Sequence, residues 1–180
     1  MKKEIFKNME IPEGVEVNID KNIVFVKGKE GEIKKKFDLS KLVLEKTENK
    51  IKIGSKKATK KEKRMINTIF NHIKNMIKGV QKKFEYQLKI CFNHFPMTVE
   101  IKEKDVTIKN FLGEKVPRKT KIAEGAEVKL DKEIITVSSV DKEAAGQTAA
   151  NFEMATKVGA RDRRIFQDGI FMINKAGKDI

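Results

Sequence analysis

The chain has 180 residues, 39% of them hydrophobic and 7% aromatic, with no tryptophan; it forms one domain or two small ones, with cores of Ile, Val and Phe. A formal net charge of +14 draws polyanions and points to nucleic acid, an anionic membrane surface or an acidic protein, with a merely soluble lysine-rich protein as the plainer alternative. The single cysteine, Cys91, excludes a disulfide framework and zinc-finger spacing, and no apolar run is long enough to span a bilayer.

The opening "MKKEIFKNMEIPEG" lacks the apolar core and small-residue cleavage site of a secretory signal, so a cytosolic protein is expected. "VEVNIDKNIVFVKGKEGE" then alternates apolar and polar residues around the polar "IDKN", which predicts a strand hairpin. The pattern returns as "VEIKEKDVTIKNFLGE" around "KEKD". Val15 and Val17 match Val99 and Ile101. After a two-residue difference in the turn, Val24, Val26, Lys27, Gly31 and Glu32 match Val106, Ile108, Lys109, Gly113 and Glu114. Ile51 and Ile53 match Ile135 and Val137 as a further strand, and each copy runs into a helical segment. The plan is a duplicated β-β-β-α unit: an α+β fold of two tandem, similar domains, each a small mostly antiparallel sheet on one main helix.

The first helix is predicted from about Thr59 to Lys78, with Met65, Ile66, Ile69, Phe70, Ile73, Met76, Ile77 and Val80 at helical spacing. Thr59 and Glu62 form a capping box, and Gly79 suits a left-handed C-terminal position. The second helix is predicted from about Asp141 to Val158, its inner face Ala144, Ala145, Thr148, Phe152 and Ala155, with Gly159 as the stop. The boundary falls in "GVQKKFEYQ", giving domains 1–82 and 83–180.

No catalytic constellation emerges. His72 lies beside the apolar stripe of its helix, and His94 precedes Phe95 and Pro96; both read as structural. No H-x-x-x-H, G-x-S-x-G or phosphate-loop pattern occurs, and "GKEGE" reads as a turn. We expect no enzyme, no cofactor, no metal, no membrane partner and no small-molecule substrate.

Charge is unevenly shared. Residues 1–83 carry 23 Lys or Arg against 11 acids, and residues 84–180 carry 17 against 15. Lys56, Lys57, Lys60, Lys61, Lys63 and Arg64 crowd the start of the first helix, either to bind phosphate or as a solvated face. Of the five arginines, Arg118, Arg161, Arg163 and Arg164 fall in the second half. Arginine grips phosphate with a planar fork and stacks on bases. In "ARDRRIFQDGIFMINK" the apolar Ile165, Phe166, Ile170, Phe171 and Ile173 would anchor a strand that holds the arginines fixed. The alternative is that an arginine pairs internally with Asp162 or Asp168.

"NMIKGV" (75–80), "HFP" (94–96), "NFLGEK" with Arg118, and "RIFQDGI" (164–170) resemble the archaeal and eukaryotic branch of the ribosomal protein L-six family, called L-nine in eukaryotes. Order and spacing agree along essentially the whole chain. Arg161, Arg164, Phe166, Asp168 and Gly169 fill the family's C-terminal signature, and Phe171 stands where the family usually has Tyr. The resemblance implies two similar α+β domains in a structural protein of the large ribosomal subunit. It implies binding to 23S ribosomal RNA at the stalk base near the sarcin–ricin region, beside neighbouring large-subunit proteins, with the main RNA contacts in the C-terminal domain. The residues expected there are Lys109, Arg118, Lys119, Lys157, Arg161, Arg163, Arg164, Gln167 and Lys175, with Lys56, Lys57, Lys60, Lys61 and Arg64 as a secondary surface. The competing reading is a free basic module that binds an acidic protein.

Overall fold

The structure, a computed structural model, describes residues 3–47 and 49–180. Along the chain it divides into two compact units between Lys83 and Phe84. The first contains β1 (Lys3–Glu10), β2 (Glu16–Asp20), β3 (Ile23–Gly28), β4 (Gly31–Lys36), β5 (Val43–Thr47), β6 (Lys50–Ala58) and helix α1 (Lys60–Gln81). Its strands form two antiparallel sheets, β1-β6-β5 and β2-β3-β4, and α1 packs on both. Alternation sets the buried faces: Val17, Val24, Val26, Ile51 and Ile53 are essentially inaccessible, as are Ile66, Ile73 and Val80 on the helix.

The second unit contains β7 (Phe84–Cys91), β8 (Thr98–Lys102), β9 (Asp105–Lys109), β10 (Arg118–Lys121), β11 (Ala126–Asp131), β12 (Ile134–Ser139), α2 (Lys142–Ala155), β13 (Gly169–Lys175) and β14 (Lys178–Asp179). Its sheets are β10-β9-β8 and β11-β12-β7-β13-β14. The orders β7-β12-β11 and β8-β9-β10 repeat those of β1-β6-β5 and β2-β3-β4. The expected α+β class with two similar tandem units therefore holds. The repeated plan is larger than β-β-β-α, with six strands before each helix. The second unit then adds β13 and β14 along the edge of β7. The corresponding edge of β1 carries no strand among the described residues.

The expected alignment of the repeats is corrected at the first hairpin. Val17 pairs with Val26 and Ile19 with Val24, whereas Val99 pairs with Ile108 and Ile101 with Val106. Val17 therefore corresponds to Val99, and both turns have two residues, led by the left-handed Lys21 and Glu103. A slip of two residues leaves every side chain on its original face, so alternation alone cannot detect it. Gly31 and Glu32 open β4, but Gly113 and Glu114 lie in the longer β9–β10 connection, so that match is sequential only.

Helix α1 starts where expected. The Thr59 hydroxyl accepts the Lys61 N–H, and the Glu62 carboxylate accepts the Thr59 N–H at 2.8 Å and the Thr59 hydroxyl. Its end differs: Gly79 is a buried interior residue, and the helix runs on to Gln81. Burial of Val80, worth about 1.5–3 kcal/mol, outweighs the roughly 1 kcal/mol helix penalty of glycine. Helix α2 ends earlier than expected, at Ala155 with Thr156 as cap, well before Gly159. Its small residues seat it close on the sheet: Ala145 and Ala149 are fully buried, and the Tyr86 hydroxyl reaches under Gly146. Burial pushes the Tyr86 phenol above its ordinary pKa.

Two outcomes follow from this architecture. Fragments 1–83 and 84–180 are expected to fold when expressed separately, with cooperative melts by circular dichroism; two unfolded fragments from a folded parent would mean a shared core. At the α1 cap, Thr59→Ala should cost about 1 kcal/mol in denaturant unfolding. The Glu62 carboxyl is held down to about 2, chiefly by the Thr59 hydroxyl and N–H. Its folded pKa lies below the unfolded value of about 4.3, so its stabilisation is complete above that pH and is lost as pH falls toward 2. Glu62→Gln should flatten this part of the stability–pH curve.

Candidate nucleic-acid interface

At the C-terminal end of α2, its last carbonyls have no partner within the helix. Arg118 supplies one: Nη1 donates to Ala155 O at 2.9 Å and to Lys157 O at 3.1 Å. Its other donors, Nε and Nη2, grip the two oxygens of Glu114 at 2.8 and 2.6 Å. The guanidinium carbon lies 4.2 Å from the ring centroid of the buried Phe111. Hydrogen bonding to Arg118 holds the Glu114 carboxyl below its ordinary value. The "NFLGEK" connection thus braces the end of α2, and Arg118, expected as an RNA contact, has its donors engaged inside the unit.

Thr156, at the helix cap, is 3% exposed. Its hydroxyl donates to Phe152 O and accepts the Ile170 N–H at 2.9 Å, which ties the helix end to the start of β13. Asp168, 2% exposed, ties the same strand to the β7–β8 connection. Its Oδ1 accepts the Asn93 N–H, and its Oδ2 lies 2.8 Å from His94 Nδ1. A carboxylate can only accept, so the imidazole proton sits on Nδ1. Burial pushes the Asp168 carboxyl up, but the Asn93 N–H and the His94 ring outweigh it and hold it below the ordinary aspartate value. The His94 ring stacks on Phe166 with centroids 4.9 Å apart, and the Arg161 guanidinium carbon lies 4.8 Å from the centroid of that same Phe166 ring.

Between Thr156 and Asp168 the chain is a wound loop, not the strand expected from Ile165 onward. Asp162 Oδ1 accepts the Arg164 N–H, Asp162 O accepts the Phe166 N–H, and Gln167 Nε2 donates to Arg164 O. Strand β13 begins only at Gly169. A Cβ on Gly169 would sit 3.1 Å from the Phe171 ring and 3.4 Å from Thr156 O, so glycine is what allows this close approach. Of the expected anchors, Ile170 is buried and Phe166 partly so, but Ile165 is 62% and Phe171 47% exposed. The loop's turns point Ile165 outward, and alternation along β13 puts Phe171 on the face opposite Ile170.

The structure gathers some of the expected residues and separates others. Lys157, Arg163 and Gln167 line one cavity with the exposed ends of α2 and β13. Arg161 and Arg164 belong to the same loop, and both are exposed. Neither Asp162 nor Asp168 pairs with an arginine side chain, and no ion pair holds Lys157, Arg163 or Arg164 among the described residues. Lys109 is ion-paired with Glu100 on the β8–β9 hairpin, and Lys119 lies on β10. Lys175, at the far end of β13, is about 20 Å along the strand from Gly169 at about 3.3 Å per residue. Lys56, Lys57, Lys60, Lys61 and Arg64 are exposed around the start of α1. Residues the sequence reading missed are Asn93 and Met154, which line the cavity together with Phe171, expected only as an anchor, and His94 as the partner of Asp168. Nothing in their local pattern marks them; the "HFP" motif was the only pointer. Among the described residues no helix is long and apolar enough to cross a membrane, and no cluster of metal-ligating side chains occurs.

Asp168→Ala strands the Asn93 N–H and the His94 ring beside a buried site, at a cost of about 1–3 kcal/mol, which a thermal melt will register. In the parent the Asp168 pKa is depressed. Its stabilisation is therefore present above the unfolded value of about 3.9 and is lost as pH falls below it. The variant should lack that acid-side loss.

Sequence comparison places this geometry in a family. The family described as "Ribosomal protein L6" matches residues 11–83 and 95–169, one stretch in each unit. The chain is 47% identical over 171 residues to the "Large ribosomal subunit protein uL6" of Methanobrevibacter smithii, covering 95% of this chain and 96% of that protein. It is 45% identical over 174 residues to that of Methanococcus vannielii, covering 97% and 96%. It is 42% identical over 176 residues to that of Methanosarcina mazei, covering 98% and 100%. With a match in each half of the duplication and relatives aligned over nearly their whole length, the chain belongs to the ribosomal protein L6 family.

Proposed function

We propose that the protein is a structural component of the large ribosomal subunit in the cytoplasm, with no catalytic role. It binds 23S ribosomal RNA near the stalk base and the sarcin–ricin region, beside neighbouring large-subunit proteins. The main RNA surface is the loop between α2 and β13 in the C-terminal unit. The observation that carries this reading is that Arg163, Arg164 and Lys157 are exposed and, among the described residues, without ion-pair partners, on a loop clamped by the buried Asp168. Their backbone is held before any ligand arrives, so less order has to be imposed on binding. Arg161, laid on Phe166, is likewise restrained. Arg118 supports the loop from beneath, as a positioning residue. The lysines around the start of α1 form a secondary surface of flexible point charges, whose long-range field assists encounter.

The test compares Arg161, Arg163 and Arg164 with Lys57, Lys60 and Lys61, each set changed to alanine. Both triples remove three charges. Charge-assisted hydrogen bonds are worth about 1.5–3 kcal/mol each, so losing two weakens binding on the order of a hundredfold or more. The lysine triple should cost much less. Affinity for a 23S RNA fragment at fixed salt, with melts alongside, checks this. Equal losses in two folded variants would show that net charge, not the C-terminal loop, carries binding. The wild-type affinity should also fall with salt, with a log–log slope of about −0.7 to −0.9 per phosphate contact. A flat response would favour the basic module that docks on an acidic protein by apolar contact.

A further inference from the structure

The cavity beside the end of α2 has a volume of about 800 Å³, within the roughly 300–1,000 Å³ typical of small-ligand sites. Its apolar wall is built from Cys91 at the end of β7, Met154 and Val158 beside the helix end, and the Phe171 ring lying across Gly169. Met154 is 70% exposed and Phe171 47%, so folding leaves this apolar surface uncovered. At its rim stand two cations, Lys157 and Arg163, and two carboxamides, Asn93 and Gln167.

We propose that this cavity takes one unpaired base of the bound RNA, with the adjoining phosphate held by Arg163 and Lys157; the proposal rests on the RNA-binding reading above. The occupant follows from the chemistry. An unpaired nucleotide offers apolar π-faces, a polar edge and one negative charge. The Phe171 ring and the Met154 thioether meet the faces. Each carboxamide presents both a donor and an acceptor to the edge. Gln167 spends an N–H on Arg164 O and keeps its carbonyl oxygen for a ligand. The two cations meet the phosphate. Two carboxylates also line the wall, Glu153 and Asp168, but each already accepts a backbone N–H, from Met172 at 2.9 Å and from Asn93. A stacked, paired base cannot enter such a site, so the RNA must present an unpaired nucleotide there. An apolar peptide would fill the wall but leave both rim cations without a counter-charge.

The test uses the full chain and deproteinised large-subunit ribosomal RNA. Dimethyl sulfate and carbodiimide report the base edges, and hydroxyl radicals report the backbone. Wild type should protect one unpaired base inside its backbone footprint. Phe171→Leu, which keeps bulk but loses the π-face, and Cys91→Trp, which fills the cavity, should both restore that base's reactivity while the footprint persists. Affinity should fall roughly five- to a hundredfold in each. Phe171→Tyr keeps the ring and should keep the protection. If Cys91→Trp fails to fold, the Leu and Tyr pair decides. An intact footprint with no protected base, or with protection unchanged in the Leu variant, overturns the proposal. So does protection of the Cys91 thiol from maleimide in whole subunits but not on naked RNA, which would put a neighbouring protein in the cavity. A wild-type chain with no footprint at all would instead sink the RNA-binding reading itself.

Discussion

The buried carboxylate of Asp168 is the constraint on which the C-terminal surface depends. It joins the start of β13 to the Asn93–His94 segment, far away in sequence, and it stays ionised because those partners outweigh the cost of burial. His94 then stacks on Phe166, and Arg161 lies over the same ring. With one end held by Asp168 and the other by Thr156, the intervening loop is short and locally hydrogen-bonded. Its three arginines are exposed, while Asp162 and Asp168 bond to backbone N–H groups and to His94 rather than to an arginine side chain.

The duplication explains where that surface could arise. Both units repeat the same six strands and helix, but among the described residues only the second adds a hairpin to the edge of its first strand. The added strand brings a loop with it, and the loop sits at the end of α2, where helix carbonyls would otherwise lack partners. Arg118, held by Glu114 and by its contact with Phe111, donates to one of those carbonyls, Ala155 O. The chain's larger charge excess lies in the other unit, on lysines distributed along it that include a group around the start of α1. Charge count and site geometry thus point to different units, and geometry governs short-range recognition because guanidinium bonds depend on direction.

Much of the fold was legible in the sequence. Alternation at Val24 and Val26, helical spacing from Ile66 to Val80 and the Thr59–Glu62 box are local, and each appears where its pattern placed it. The β2 alignment was not legible to the residue, since a two-residue shift keeps every face unchanged. Nor was the end of α1, because Gly79 invites a stop that only the burial of Val80 overrules. For the site, the C-terminal arginines were legible as residue types, whereas Arg118 looked the same in sequence and serves inside the fold.

The sequence by itself determined the two-unit α+β plan, the family and the segment that carries the arginines, because periodicity, capping and motif order are properties of neighbouring residues. Tertiary structure alone decided which cations find partners inside the fold. It paired Asp168 with His94 and Arg118 with Glu114, turned Ile165 and Phe171 outward, and opened a cavity between Cys91, Met154 and Phe171. Those outcomes depend on which side chains meet across long separations, and hydrogen-bond acceptors are claimed by whichever donor the folded chain brings within reach.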